Sequence, residues 1–153
     1  MRFLLPALLL ATGFFSCVKD NCAIPTTKAP SAEVTQLEQY LASAGITTAV
    51  KDDRGFYHII STPGTGTRPN LCSSVRVSYT GRLTNGTVFD QSTSATFGLS
   101  GLITGWQEGI PLIQKGGSIR LYLPPSLAYG SSATGSIPAN SILIFDISLL
   151  DVF

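Results

Sequence analysis

Apolar positions in this chain recur mostly at every second residue, in short runs broken by Gly, Pro and Asn, and take helical spacing in only two stretches. The first is residues 31–45. Val34, Leu37, Leu41 and Ala44 fall on one side of a 3.6-residue repeat, Ser31 can cap the start, Glu33 suits the positive end and Gly45 stops the run, which predicts a short helix. A helix of that length is marginal alone, so it must dock on the chain that follows. Thr47–Val50 and Gly55–Ser61 are rich in β-formers and flank Lys51-Asp52-Asp53-Arg54, a turn-favouring run, which predicts a small hairpin. In the next strand, Ser73–Leu83, Val77, Tyr79 and Gly81 share a face. Asn85-Gly86 then accepts positive φ in a two-residue type I′ turn, Thr87–Asp90 returns, and Phe97–Leu99 forms a brief further strand. In the second helical stretch Trp106, Ile110 and Ile113 share a face while Gln107, Glu108 and Gln114 stay wet. Pro111 must shorten or kink that helix, because it removes an intrahelical bond and crowds the carbonyl four residues back. After Gly116-Gly117, residues Ser118–Leu123 alternate with Ile119, Leu121 and Leu123 inward, and residues 124–140 form a long loop. Ser141–Val152 is apolar enough to lie centrally in a sheet or be covered on both faces.

Antiparallel strands with one crossing helix define an α+β domain, a curved sheet wrapped around a short helix. The domain is placed at residues 31–153, with 31–54 an N-terminal helix-and-hairpin extension and 55–153 the core. Residues 1–16 carry Arg2, the run FLLPALLLATGFF and Ser16, the pattern of a signal peptide for export. The run is shorter than the ~20 apolar residues a membrane-spanning helix needs. A small residue followed by Cys17 resembles a bacterial lipoprotein cleavage site, in which Cys17 becomes the lipidated first residue and anchors the chain to a membrane of the cell envelope. Phe15 stands where a small residue is usual, and simple secretion is the alternative. Residues 17–30, polar and without periodicity, read as a tether.

Composition narrows the chemistry. A hydrophobic share of 44% in 153 residues is ample for one core. Charged residues make up 12% and the net charge is +1, which leaves no basic footprint for nucleic acid and points to an apolar partner. The one His, His58, lies in a strand, so a His-based triad or multi-histidine metal site is excluded by counting. The fragment GTGTRP (64–69) lacks the third glycine of a dinucleotide loop and reads as a turn. The N-terminal helix is too small to be a dimerisation module, and a monomer is expected. Of the three cysteines, lipidation of Cys17 would leave Cys22 and Cys72 as an even pair in an oxidising compartment. They either form a disulfide or leave Cys72 as a buried thiol.

The ordered elements YTG (79–81), the FD pair Phe89-Asp90, ITGW (103–106), KGG (115–117), PSLAYG (125–130), and IP (137–138) followed by LIFDISLL (143–150) resemble the FKBP-type peptidyl-prolyl isomerases, over roughly residues 55–152. The resemblance implies the wrapped-sheet fold already read from the pattern. It also implies rotation of X-Pro bonds in exported polypeptides, without metal or cofactor, and assistance to their folding. By the same resemblance Tyr79, Phe89, Asp90, Trp106, Tyr129 and Phe145 carry the catalytic site, with Trp106 as the floor. Leu102, Ile103, Phe97 and Ile137 complete the substrate surface. The Tyr129 hydroxyl and the Ile103 N–H would hold substrate carbonyls, and Asp90 would orient Tyr79 or the twisted amide. Taken singly, each of these aromatics reads more readily as core than as pocket, while Phe145 fits either. Yet Tyr, Trp and Asp gathered at strand ends carry polar atoms that a dry core must pair. The chain departs from the pattern at Ala95, where the family has another wall aromatic, and at Ser136, where an apolar residue often precedes Ile137. The competing functions are a non-catalytic, chaperone-like binding module on the same fold and a structural surface lipoprotein.

Overall fold

The computed structural model describes residues 22–153. The signal-peptide reading of residues 1–16, the Cys17 anchor and the start of the tether lie outside the described residues.

Six strands make one antiparallel sheet in the order β1-β2-β5-β6-β3-β4: β1 (Val50–Lys51), β2 (Tyr57–Thr62), β3 (Ser74–Leu83), β4 (Val88–Gly98), β5 (Ser118–Leu123) and β6 (Leu143–Val152). The C-terminal strand is central. Leu143, Phe145, Ile147 and Leu149 point to the inner face and are buried, while Ile142 and Ile144 pack on the outer face. On the inner face lies α2 (Thr104–Gly109), continued by one 3₁₀ turn at Ile110–Leu112, so Pro111 ends the regular helix after six residues. Trp106, Ile110 and Ile113 are all buried beneath the sheet. The helix sits unusually close to β5, because its glycines allow it. A Cβ on Gly105 would lie 2.5 Å from Leu123 Cδ1, and one on Gly109 would lie 2.6 Å from Leu121 Cδ1.

The outer face is covered by α1 (Ser31–Ser43), whose Leu37 and Leu41 pack on Tyr122. Its cap is Pro30 with no side-chain bond, so Ser31 is the first helical residue and not the cap. Ala44 is exposed, and the half-buried Tyr40 takes its place on the packed face. Gly45, at φ +68°, closes the helix while the Ile46 N–H donates to the Leu41 carbonyl at 2.9 Å.

Other readings change in detail. Of the predicted 47–50 strand only Val50 pairs with β2, and Lys51, read as part of the turn, pairs beside it. The chain read as two strands at 87–90 and 97–99 is one strand, β4, interrupted by two bulges. The register steps from Arg82↔Val88 to Gly81↔Asp90, and from Tyr79↔Ser92 to Val77↔Ala95. The β3–β4 turn is a three-residue loop and not a two-residue one. The Gly86 N–H donates to Leu83 O and the Leu83 N–H to Thr87 O, with Gly86 at φ +87° and Asn85 outside the left-handed region. Within residues 124–140 the structure has a 3₁₀ turn at Pro125–Leu127 and a tight bridge between Thr134 and Ile137. His58 lies on β2 with its ring 6.0 Å from that of Phe56, and burial pushes its pKa down. Glu108, read as wet, has a side chain only 11% exposed and lies 3.1 Å from Arg54. Burial there raises its pKa despite the guanidinium.

The described part of the supposed tether is fastened down. Cys22 is joined to Cys72 by a disulfide, with the Cα atoms 5.3 Å apart, and the Ala29 N–H donates to the Arg54 carbonyl at 2.8 Å. Cys72 is at the surface and not a buried thiol. Among the described residues no helix is long and apolar enough to cross a membrane.

Candidate active site

The strand pairing brings distant residues to one end of the sheet. Asp90 stands opposite Gly81, on the face shared with Tyr79 two residues away, and the Tyr79 hydroxyl donates to Asp90 Oδ2 at 2.6 Å. Gly81 is required here, because a Cβ would lie 2.6 Å from the Phe89 ring and 2.9 Å from that of Phe145. Trp106 lies in the first turn of α2, buried at the base of the same cluster. Three rings meet it edge-on: Tyr79 at 5.1 Å and 84°, Phe145 at 5.2 Å and 86°, and Phe97 at 6.1 Å and 82°. Edge-to-face contacts suit aromatic quadrupoles and hold all four rings in fixed positions.

The result is a cup of about 140 Å³ lined by Tyr79, Asp90, Phe97, Leu102, Ile103, Trp106, Tyr129 and Phe145. Trp106 is 4% exposed and forms the base, while Tyr129 is 41% exposed and stands at the rim. Two of the residues read from the sequence are not in the lining. Phe89 rests edge-on against Phe145 at 5.5 Å, one layer behind the wall, and Ile137 is buried in the core. Ala95 pairs with Val77, outside the lining, which leaves Phe97 as the aromatic that β4 gives to the cup. Ser136 is exposed at a turn tip.

Burial, and then the hydrogen bond to Asp90, pushes the Tyr79 pKa up to about 12, so its hydroxyl remains a donor at any ordinary pH. Burial, with Asp90 as a second cause, also raises that of Tyr129. Ile103 is the cap of α2 and its carbonyl accepts the Trp106 and Gln107 N–H groups. Its own N–H has no acceptor among the described residues. The loop is held by Gln107, whose Nε2 donates to Leu102 O at 2.6 Å and Ser100 O at 3.2 Å. Nothing in the hydrophobic pattern marks Gln107, since its partners are backbone carbonyls.

A curved sheet holding an aromatic cup against the short helix it wraps defines an FKBP-like domain. The chain belongs to the FKBP-type peptidyl-prolyl cis-trans isomerase family, whose model matches residues 66–150. It is 42% identical over 120 residues to the FKBP-type peptidyl-prolyl cis-trans isomerase FkpA of Aeromonas hydrophila, an alignment covering 75% of this chain and 45% of that one. The crystal structure of FkpA from Escherichia coli superposes with a TM-score of 0.72 at 35% identity, covering 80% of this chain and 60% of that chain. A peptidyl-prolyl cis-trans isomerase from Pseudomonas syringae pv. tomato gives 0.70 at 33% identity, covering 82% and 98%. The chain spans about half the length of the curated relatives it matches.

Proposed function

We propose that this protein catalyses cis-trans isomerisation of X-Pro bonds in exported polypeptides and so assists their folding. The observation that carries this reading is the Trp106 base ringed edge-on by Tyr79, Phe97 and Phe145. That cup suits a pyrrolidine ring, with the Trp106 Nε1–H, which has no partner among the described residues, at its base and the Tyr129 hydroxyl at its rim. Rotation about the prolyl amide must overcome a resonance barrier of about 18–20 kcal/mol, and no covalent bond changes. The twisted amide has lost resonance and carries a less dipolar carbonyl than the planar one. A dry, apolar wall therefore favours the transition state over the ground state, and that difference accelerates the reaction. In this reading the Ile103 N–H and the Tyr129 hydroxyl hold substrate carbonyls, and Asp90 fixes Tyr79 through their 2.6 Å bond. Phe89 and Ile137 act from behind the lining by supporting Phe145 and the core.

The test is exchange of a Leu-Pro peptide, which unaided takes tens to hundreds of seconds at 25 °C. Micromolar protein should accelerate it. Asp90→Ala should lower kcat/KM by about tenfold or more with the melting temperature little changed, because Asp90 is exposed and its bond serves the cup. A rate equal to buffer would leave the non-catalytic binding module as the better reading.

Export and anchoring belong to the same proposal, supported by the apolar run in residues 1–16 and the Ser16-Cys17 pair. Cys17 carries the lipid, and the domain works at a membrane of the cell envelope. Labelled palmitate should enter the natural protein and not a Cys17→Ser variant; a label retained by that variant would remove the anchor.

A further inference from the structure

The turn that carries Tyr129 hangs from a single peptide group. The Pro125 carbonyl accepts the N–H of Ala128 at 2.9 Å and that of Gly130 at 2.8 Å, the amides on either side of Tyr129. The N–H of the same peptide belongs to Ser126. It is the first N–H the turn possesses, since Pro124 and Pro125 have none, and the start of a 3₁₀ turn offers it no internal acceptor. It donates instead to Glu33 Oε2, 2.9 Å away and 93 residues earlier in the chain.

Glu33 is itself held in place. It lies in the first turn of α1, whose Leu37 is 0% and Leu41 5% exposed on the outer face of the sheet. The helix also rests against the β1–β2 turn, where a Cβ on Gly55 would meet the Val34 side chain at 2.7 Å. A peptide group is planar, with its N–H and C=O in fixed opposition, so an acceptor that fixes the Ser126 N–H also fixes the direction of the Pro125 carbonyl. A charged acceptor does more, because it polarises the peptide and strengthens the bonds that the carbonyl accepts.

We propose that Glu33 is a positioning residue for the isomerase site, setting the pose of Tyr129 through the Pro125–Ser126 peptide. The N-terminal helix, which lies outside residues 66–150 matched by the family model, then contributes to the site as well as covering the sheet. The proposal rests on the reading of Tyr129 as a group that contacts substrate.

The experiment compares Glu33→Ala, Glu33→Gln, Tyr129→Phe and the Glu33→Ala/Tyr129→Phe double variant in the full chain, by exchange kinetics on a Leu-Pro peptide. Glu33→Ala should lower kcat about threefold to tenfold, as expected for a loosened transition-state contact, with KM within about twofold. Glu33→Gln, whose side-chain carbonyl still accepts, should recover most of the loss. In the Tyr129→Phe background Glu33→Ala should cost nothing further. A silent Tyr129→Phe would overturn the reading of Tyr129 and this inference with it. An impaired Tyr129→Phe beside a fully active Glu33→Ala would overturn the inference alone, as would a loss that adds in full or is not recovered by Gln. Hydrogen exchange of the Ser126 amide in the natural protein gives an answer that needs no variant to fold. Slow exchange supports the bond and exchange at the free-peptide rate overturns it.

Discussion

At the scale of single residues, the contact with the clearest consequence is Tyr79 to Asp90. The Tyr79 pKa of about 12 has burial as its larger cause and the hydrogen bond to Asp90 as its second. An acid whose folded pKa lies above its unfolded value binds more protons when folded, so the stability it contributes is fully present below about pH 10 and is lost as pH rises toward about 12. In an ultraviolet titration Asp90→Ala should move the most alkaline tyrosine step downward, yet leave it above the ordinary value, and Tyr79→Phe should abolish that step. A step that stays in place in Asp90→Ala would show that the bond contributes nothing. The two residues could be read from the sequence as a polar pair at strand ends. Their meeting could not, because it depends on the bulge at Phe89, which puts Asp90 opposite Gly81 instead of one residue along. Gln107 and Glu33 were illegible for a related reason. Each bonds to backbone, and backbone position follows from the fold and not from residue type.

At the scale of elements, the two helices, β3 and β5 were visible as periodicity and β2 and β6 as β-rich or apolar runs, and the misreadings of β4 and its turn fall where a register changes. β4 looked like two strands because its bulges break the alternation at Phe89 and again between Ser92 and Ala95. Asn85-Gly86 fits both a two-residue loop and a three-residue loop with only Gly86 left-handed, and the pairing of Leu83 with Thr87 decides between them. The closeness of α2 to β5 was likewise unreadable, although the glycines that permit it were in view. Gly105→Ala tests it. Alanine improves helix propensity by at most about 1 kcal/mol, and less in six residues that tertiary packing already holds. Its Cβ would meet Leu123 at Cδ1, Cδ2 and Cγ, at 2.5 to 2.9 Å, and Leu123 is fully buried with nowhere to turn. Overpacking of this kind costs about 1–3 kcal/mol, so the variant should be less stable in spite of the better helix former. Trp106 is the next residue, so its fluorescence should shift as well. Unchanged stability and emission would mean that the helix–strand contact is looser than its geometry indicates.

At the scale of the molecule, the extension decides how the chain is bounded. The sequence suggested a polar tether leading into a domain at Ser31, but residues 22–30 are fastened by the Cys22–Cys72 disulfide at one end and the Ala29–Arg54 hydrogen bond at the other. Composition could not reveal this, because the segment has no periodicity to bury. Its attachment comes from one covalent bond, one backbone hydrogen bond and the packing of Ala29 against the core. The disulfide spans 50 residues of sequence, and closing a loop of that size in the unfolded chain is worth about 4 kcal/mol by chain entropy. The loop encloses α1 and the β1–β2 hairpin, both docked on the sheet, so the bond holds the extension to the core even in partly open states. Cys22→Ser/Cys72→Ser should therefore lower stability by about 2–4 kcal/mol in denaturant unfolding. Its activity per folded molecule should be unchanged, because neither cysteine lines the cup. A reductant should bring the natural protein down to the same midpoint and leave the variant where it is. A thiol count on the unfolded, unreduced chain fixes the covalent state independently: two free groups beyond Cys17 would rule the bond out, and none would leave the pairing of Cys22 with Cys72 as the source of the stability difference.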